Sequence, residues 1–179
     1  MRVTCIYWPE DRERMLFKRA IRITMGDTAE PKNLPSSKLL HAVLEARHSP
    51  IRVLNFAFLI EGIPSNISVH LCRHVHAVPF VSTLRNDRQD RMDGDEAPRK
   101  TPVDMIFFAS AEELMTVANK RLCTLASPKT QQVVSMMCAA ALDKMPELHG
   151  LLVPMCLYHG GVCHEINGCG LCPKKGDDE

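Results

Sequence analysis

Apolar and polar positions along the chain alternate with two different periods, and so predict strands and helices in mixed order. Met1 to Tyr7 is a short apolar run and predicts a first or edge strand. Glu10 to Met25 sets Met15, Ala20 and Ile23 among many charges and predicts a helix. Gly26 to Pro35 predicts a loop, since glycine and proline interrupt both periods. Ser36 or Ser37 can cap a helix beginning near Lys38, with Leu39, Leu40, Val43 and Leu44 as its apolar face. It ends ahead of Ser49-Pro50, because proline restricts the residue before it. Val53 to Ile60 predicts a buried strand, Gly62 to Asn66 a turn, and Ile67 to Cys72 a helix or second apolar element that delivers Arg73. Pro79 interrupts any helix that follows His74. Asn86 to Thr101, dense in charge, predicts an exposed solvated loop. Val103 to Cys123 predicts a helix with Ile106, Ala109, Leu114, Val117 and Leu122 on one side. Ser127-Pro128 starts another, which runs through Val133, Val134, Met137 and Leu142 to Pro146.

Composition narrows the picture. A chain of 179 residues that is 45% apolar has the length of one domain plus a small appendage and can bury a core. The expected division is residues 1–149 as the domain and 150–179 as a cysteine-rich tail. A formal charge of +1 argues against broad binding to nucleic acid, which needs a basic excess, and leaves room for a local phosphate pocket. No run approaches the roughly 20 apolar residues of a membrane span. No charged start leads into an apolar stretch, so the expected location is cytoplasmic.

The densest chemistry lies between residues 70 and 85. His70, Arg73, His74, His76, Ser82, Thr83 and Arg85 fall within sixteen positions. Arginine grips phosphate through paired charge-assisted hydrogen bonds, hydroxyls complete the oxygen shell, and imidazole can bond or stack on a heterocycle. A solvated face with a few surface cations is the ordinary alternative, and residue types alone slightly favour it.

The order of the residues changes that balance. Flavin-dependent thymidylate synthases carry Arg-His-Arg, seven residues, then Ser, usually with Arg two positions on. This chain reads Arg73-His74-Val75, seven residues, Thr83, then Arg85. Arg47-His48-Ser49-Pro50, Phe56-Ala57-Phe58 and the later Asn119-Lys120-Arg121-Leu122-Cys123 also resemble that family at roughly compatible spacing, from about residue 40 to 145. The chain thus resembles a short, divergent member. Val75 stands for the motif's second arginine, Thr83 for its serine, Asn86 where an aromatic is common, and Arg52 near a position that is often acidic.

The resemblance implies an α+β fold, a mixed sheet flanked by helices, and homotetramers whose sites are built from several subunits. It implies reductive methylation of dUMP to dTMP, with methylenetetrahydrofolate as carbon donor, NADPH as reductant and FAD as hydride carrier. Carried over by position, Ser49, Arg73 and His74 would contact the flavin. His70, Arg73, Ser82, Thr83 and Arg85 would contact the nucleotide. Arg121 would face the uracil and favour its N3 anion, since a fixed cation lowers the pKa of a neighbouring acid. The departures leave two other readings open. One is a related modification such as hydroxymethylation of a pyrimidine deoxynucleotide; the other is a zinc-containing protein that binds nucleotide or nucleic acid without turnover.

The tail is a separate matter. Cys5, Cys72, Cys123 and Cys138 are scattered through apolar surroundings, as buried thiols commonly are. Cys156, Cys163, Cys169 and Cys172 instead crowd into seventeen residues among glycines that permit tight folding. A structural, four-coordinate zinc is the leading reading, with His159 and His164 as substitute ligands. Free thiols, a disulfide formed on oxidation and an iron–sulfur cluster remain open.

Overall fold

The computed structural model describes residues 1–84 and 98–176. Its four strands are β1 (Arg2–Tyr7), β2 (Asn55–Pro64), β3 (Val78–Val81) and β4 (Pro102–Ser110), joined in the order β1-β2-β4-β3. All three pairings are antiparallel, so the α+β class stands and the sheet is antiparallel throughout rather than mixed.

The helices are α1 (Asp11–Thr24), α2 (Ser37–Glu45), α3 (Ser65–Cys72), α4 (Ala111–Arg121), α5 (Pro128–Lys144) and the single turn α6 (Met155–Tyr158). Local chemistry sets their starts. Glu10 and Glu13 close a capping box on α1, and Ser36 accepts from the Leu39 N–H at the head of α2. α2 ends in a Schellman arrangement: the Arg47 N–H donates to the Leu44 carbonyl and the His48 N–H to the Val43 carbonyl. Arg47 occupies the left-handed position there with φ 52°, where glycine is usual.

Three expectations fail for physical reasons. The predicted helix Val103 to Cys123 is half strand. Val103, Met105, Phe107 and Ala109 are buried while the residues between them are not, a period of two that outweighs the weaker helical spacing. Gly62 makes no turn; β2 runs through it to Pro64 with a shift in register between Ile60 and Ile63. Its φ of +65° suits such a bulge, and its N–H donates to the Asp104 carboxylate at 2.8 Å. Pro79 breaks no helix. It sits inside β3, the edge strand, opposite Phe107.

Phe17, Phe56, Phe58 and Phe107 are fully buried among the aliphatic residues of α2, α4 and α5, and Leu151 and Leu152 join the same core. Tyr7, Leu59, Ile106, Phe108, Val78 and Phe80 lie across from one another on the opposite sheet face. Much of that face is open: Ile106 is 37% and Phe80 60% exposed.

Candidate functional site

α3 and α4 converge at their C-terminal ends, and the sequence candidates meet there. Arg73 caps α3, His74 follows it, and Arg121 closes α4. Arg121 donates from Nε to His74 Nε2 at 2.9 Å and from Nη2 to the His70 carbonyl at 3.0 Å. Because Nε2 accepts, the His74 proton sits on Nδ1, which reaches Glu113 Oε1 at 3.1 Å. Both His74 and Glu113 are buried. Glu113 is held in place as a first-turn residue of α4, where its N–H donates to the capping Ser110 hydroxyl. A tight chain thus runs from Glu113 through His74 to Arg121.

Burial, and next the charge of Arg121, pull the His74 pKa down to about 4, so the ring is neutral near pH 7. Burial raises the Glu113 carboxyl above the ordinary range. Burial also lowers the pKa of Arg121, and the positive charge of Arg73 lowers it further. Two guanidinium groups therefore repel each other here, and an anion placed between them would relieve the repulsion.

Beside this group lies a cavity of about 350 Å³ lined by Ser65, Asn66, Val69, His70, Arg73 and Arg99. His70 is anchored through Nδ1 to the buried Thr130 hydroxyl of α5 at 2.8 Å, which leaves its other ring nitrogen for a ligand. Arg99 is fixed through its backbone: its carbonyl accepts from the Asn66 N–H and the Ser65 hydroxyl. The cavity thus has two exposed arginines, small polar side chains and an imidazole on one wall. A phosphate or mononucleotide suits that lining. Another hollow, about 690 Å³ between Trp8 to Arg14 and Lys144, contains none of the sequence candidates, and its Glu10 and Glu13 are engaged in the cap of α1.

The other candidates are placed differently. The Ser82 hydroxyl accepts from the Asp104 N–H at 3.0 Å, and Thr83 follows it, half-buried. Arg85 lies outside the described residues, as does most of the loop expected from Asn86 to Thr101. Ser49 is exposed in the 3₁₀ turn Ser49–Val53. Arg52 of that turn pairs with Glu112 at the opposite end of α4 from Arg121, which sets Ser49 apart from the Arg73–Arg121 group within one chain. Arg99, Glu113 and Thr130 belong to the site's surroundings and were not singled out by sequence. A buried glutamate on a helix and an arginine ending a charged loop carry no motif.

No family model and no curated protein matches the sequence. Solved structures do match. A crystal structure of the flavin-dependent thymidylate synthase ThyX from Helicobacter pylori, complexed with FAD and dUMP, aligns with a TM-score of 0.70 at 15% identity, covering 86% of this chain and 100% of that one.

The chain has the fold of a flavin-dependent thymidylate synthase.

A second ThyX structure from Helicobacter pylori, also with FAD and dUMP, aligns at TM-score 0.65 and 16% identity over 88% of this chain and 99% of that one. The UMP/dUMP methylase PolB from Streptomyces cacaoi, bound with 5-Br dUMP, aligns at 0.66 and 14% over 84% and 93%. At these identities the likeness is one of fold, and it takes in nearly the whole of each matched chain.

The tail forms a second cluster. Cys156, Cys163, Cys169 and Cys172, with Cys123, His159 and His164, line a cavity of about 190 Å³ at the end of α4. All eight cysteines are free. A hydrogen bond with Cys156, then burial, then the nearby Cys156, Cys169 and Cys163 thiols push the Cys172 thiol up. Among the described residues, no three His, Cys, Asp or Glu side chains are already arranged to hold a metal ion. No helix among them is long and apolar enough to cross a membrane.

Proposed function

We propose that the chain is a flavin-dependent pyrimidine nucleotide methylase that converts dUMP to dTMP. Methylenetetrahydrofolate would be the carbon donor, NADPH the reductant and FAD the bound cofactor. The observation that carries this reading is the cavity lined by Arg73, Arg99 and His70, with Arg121 fixed beside it on the His70 carbonyl. It occurs in a fold shared with proteins solved with FAD, dUMP and 5-Br dUMP.

The residues fit the proposed ligands in part. The Arg73–Arg99 cavity, at about 350 Å³, suits a nucleotide phosphate and sugar but not a whole FAD as well. A homotetramer would supply the remaining wall. The open apolar sheet face and the exposed Ser49 support assembly with further copies. Bound FAD would supply hydride. The chain would hold the dUMP phosphate through Arg73 and Arg99, and would set the His70 ring against the nucleotide. Arg121, fixed by His74 and the His70 carbonyl, would keep a positive charge close to a uracil whose N3 loses its proton. Val75 is 83% exposed and provides no cation, so Arg73 and Arg121 carry more of the anion binding.

The test is an absorbance spectrum of the purified chain with and without added FAD, followed by transfer of labelled carbon from methylenetetrahydrofolate to dUMP in the presence of NADPH. A flavin spectrum and labelled dTMP are expected. Absence of binding to both FAD and dUMP would overturn the proposal. Labelled hydroxymethyl product would keep the pocket and replace the reaction.

A further inference from the structure

We infer that Cys156, Cys163, Cys169 and Cys172 form a structural site for a soft divalent cation, zinc in the first instance, that pins the tail onto the end of α4. The inference is independent of the nucleotide reading. It rests on the shared cavity: all four cysteines line one hollow of about 190 Å³, although Cys156 belongs to α6, Cys163 to a short bridge with Lys174, and Cys169 and Cys172 to the loop between.

The backbone is built to bring them there. After α6 the Gly161 N–H returns to the Cys156 carbonyl at 2.8 Å, which folds Cys163 back toward Cys156. Cys163 then pairs with the far end of the tail, donating to the Pro173 carbonyl at 2.8 Å and accepting from the Lys175 N–H at 3.0 Å. That bridge sets Cys172 beside the first half of the cluster, in hydrogen-bond contact with the Cys156 thiol. Gly168 passes so close that a Cβ there would sit 3.2 Å from Cys163 Sγ. A side chain at 168 would push against the sulfur, so glycine leaves the thiol its space.

Four thiols with no disulfide between them match a closed, four-coordinate shell with Zn–S distances of about 2.3 Å. Since no three donors are yet at coordination geometry, loading would draw the sulfurs inward through χ1 rotations between staggered wells. Binding would release thiol protons, because the thiolate is the ligand. With four thiolates the shell has no open position, so the role is structural rather than catalytic.

The site's location gives it a consequence. Cys169 is hydrogen-bonded to Thr124, and Lys120 pairs with Glu165 at 3.4 Å. The tail therefore grips residues 120–124, the stretch that contains Arg121. A loaded site would steady the end of the helix that carries that arginine.

The experiment uses the full chain, purified under reducing conditions, with metal content measured by elemental analysis. Chelator-stripped protein is then titrated with cobalt(II) alone. A single bound metal per chain is expected, with the thiolate-to-cobalt charge-transfer bands and visible bands of a tetrahedral site. Cys169→Ser and Cys172→Ser should each lose that spectrum, and Cys123→Ser should keep it. The wild-type cobalt spectrum makes the test independent of whether the serine variants fold. No bound metal and no cobalt spectrum would overturn the inference. So would disulfides in the reduced protein, iron with acid-labile sulfide, or a spectrum that depends on Cys123 but not on Cys156.

Discussion

Arg121 Nε and His74 Nε2, 47 residues apart in sequence, are joined by a 2.9 Å hydrogen bond that makes the imidazole the hinge between two helix ends. The arginine thereby has two engagements: it satisfies a buried ring, and its charge stands beside that of Arg73.

A double-mutant cycle on this pair should show coupling. Arg121→Ala removes a charge-assisted donor from His74 and from the His70 carbonyl, and should cost about 1.5–3 kcal/mol of stability. His74→Gln should cost less once Arg121 is gone, with a coupling of about 1 kcal/mol or more measured by denaturant unfolding. Strict additivity would mean that the bond contributes nothing. Turnover of dUMP should fall in Arg121→Ala while flavin content is retained.

Arg73 and Arg99 should act on ligand affinity rather than on stability. Both are exposed, so alanine at either position should change the unfolding free energy by less than about 0.5 kcal/mol. Each should weaken dUMP binding by about 10- to 100-fold, through loss of a charge-assisted hydrogen bond to phosphate. Calorimetric titration measures both. Unchanged affinity in Arg99→Ala would move the phosphate away from this cavity.

Stability should fall on acidification. The unfolded chain protonates His74 as pH drops through about 6.5. The folded chain does so only near 4. Between those values the unfolded state binds more protons, so the contribution is complete above about pH 6.5 and is lost toward pH 4, at up to about 1.4 kcal/mol per pH unit. Glu113 works in the opposite sense, since its raised pKa lets the folded chain take up that proton first, and it offsets part of the loss at the acid end. Unfolding curves for the native chain and His74→Gln should differ in slope over this window. Parallel curves would show that another group governs the titration.

Asn119 should matter for stability out of proportion to its size. It is fully buried, accepts from Arg47 and donates to the Val153 carbonyl at 2.7 Å. Arg47, in its left-handed conformation, also donates to the Tyr158 hydroxyl at 3.0 Å and stacks 4.4 Å from that ring. Asn119→Ala leaves buried partners unpaired and should cost about 1–3 kcal/mol, read as a fall in melting temperature. A loss below about 0.5 kcal/mol would mean that water replaces the side chain.

The candidate site is legible in the sequence where it is local and obscure where it is made by packing. Arg73 and His74 adjoin in one motif, and Arg121 lies in a second, so their candidacy could be read directly. The bond between Arg121 and His74 could not, because it depends on where α3 and α4 end in space. The missed strand β4 has the same origin. Ile106, Ala109 and Leu114 satisfy a helical period, while Val103, Met105, Phe107 and Ala109 satisfy a strand period, and only pairing with β2 decides between them. Arg99 falls within the expected charged loop, because nothing in composition distinguishes a cavity-lining cation from a solvated one. The cap at Ser36 and the helix start at Ser127-Pro128 are local and match the sequence reading, and the strand expected from Val53 to Ile60 is present from Asn55 to Pro64.

Pro79 has a consequence for how the molecule behaves at high concentration. The Ser82 N–H bonds to the Asp104 carbonyl on β4, so by alternation Phe80 and Val78 also turn their amides toward β4 while Pro79 and Val81 face the free side. A foreign strand laid along that border would meet no donor at Pro79 and a ladder too short to propagate. Among the described residues the sheet has an apolar face and an open border at β3, the usual ingredients of fibre growth, and the proline takes one donor from that border.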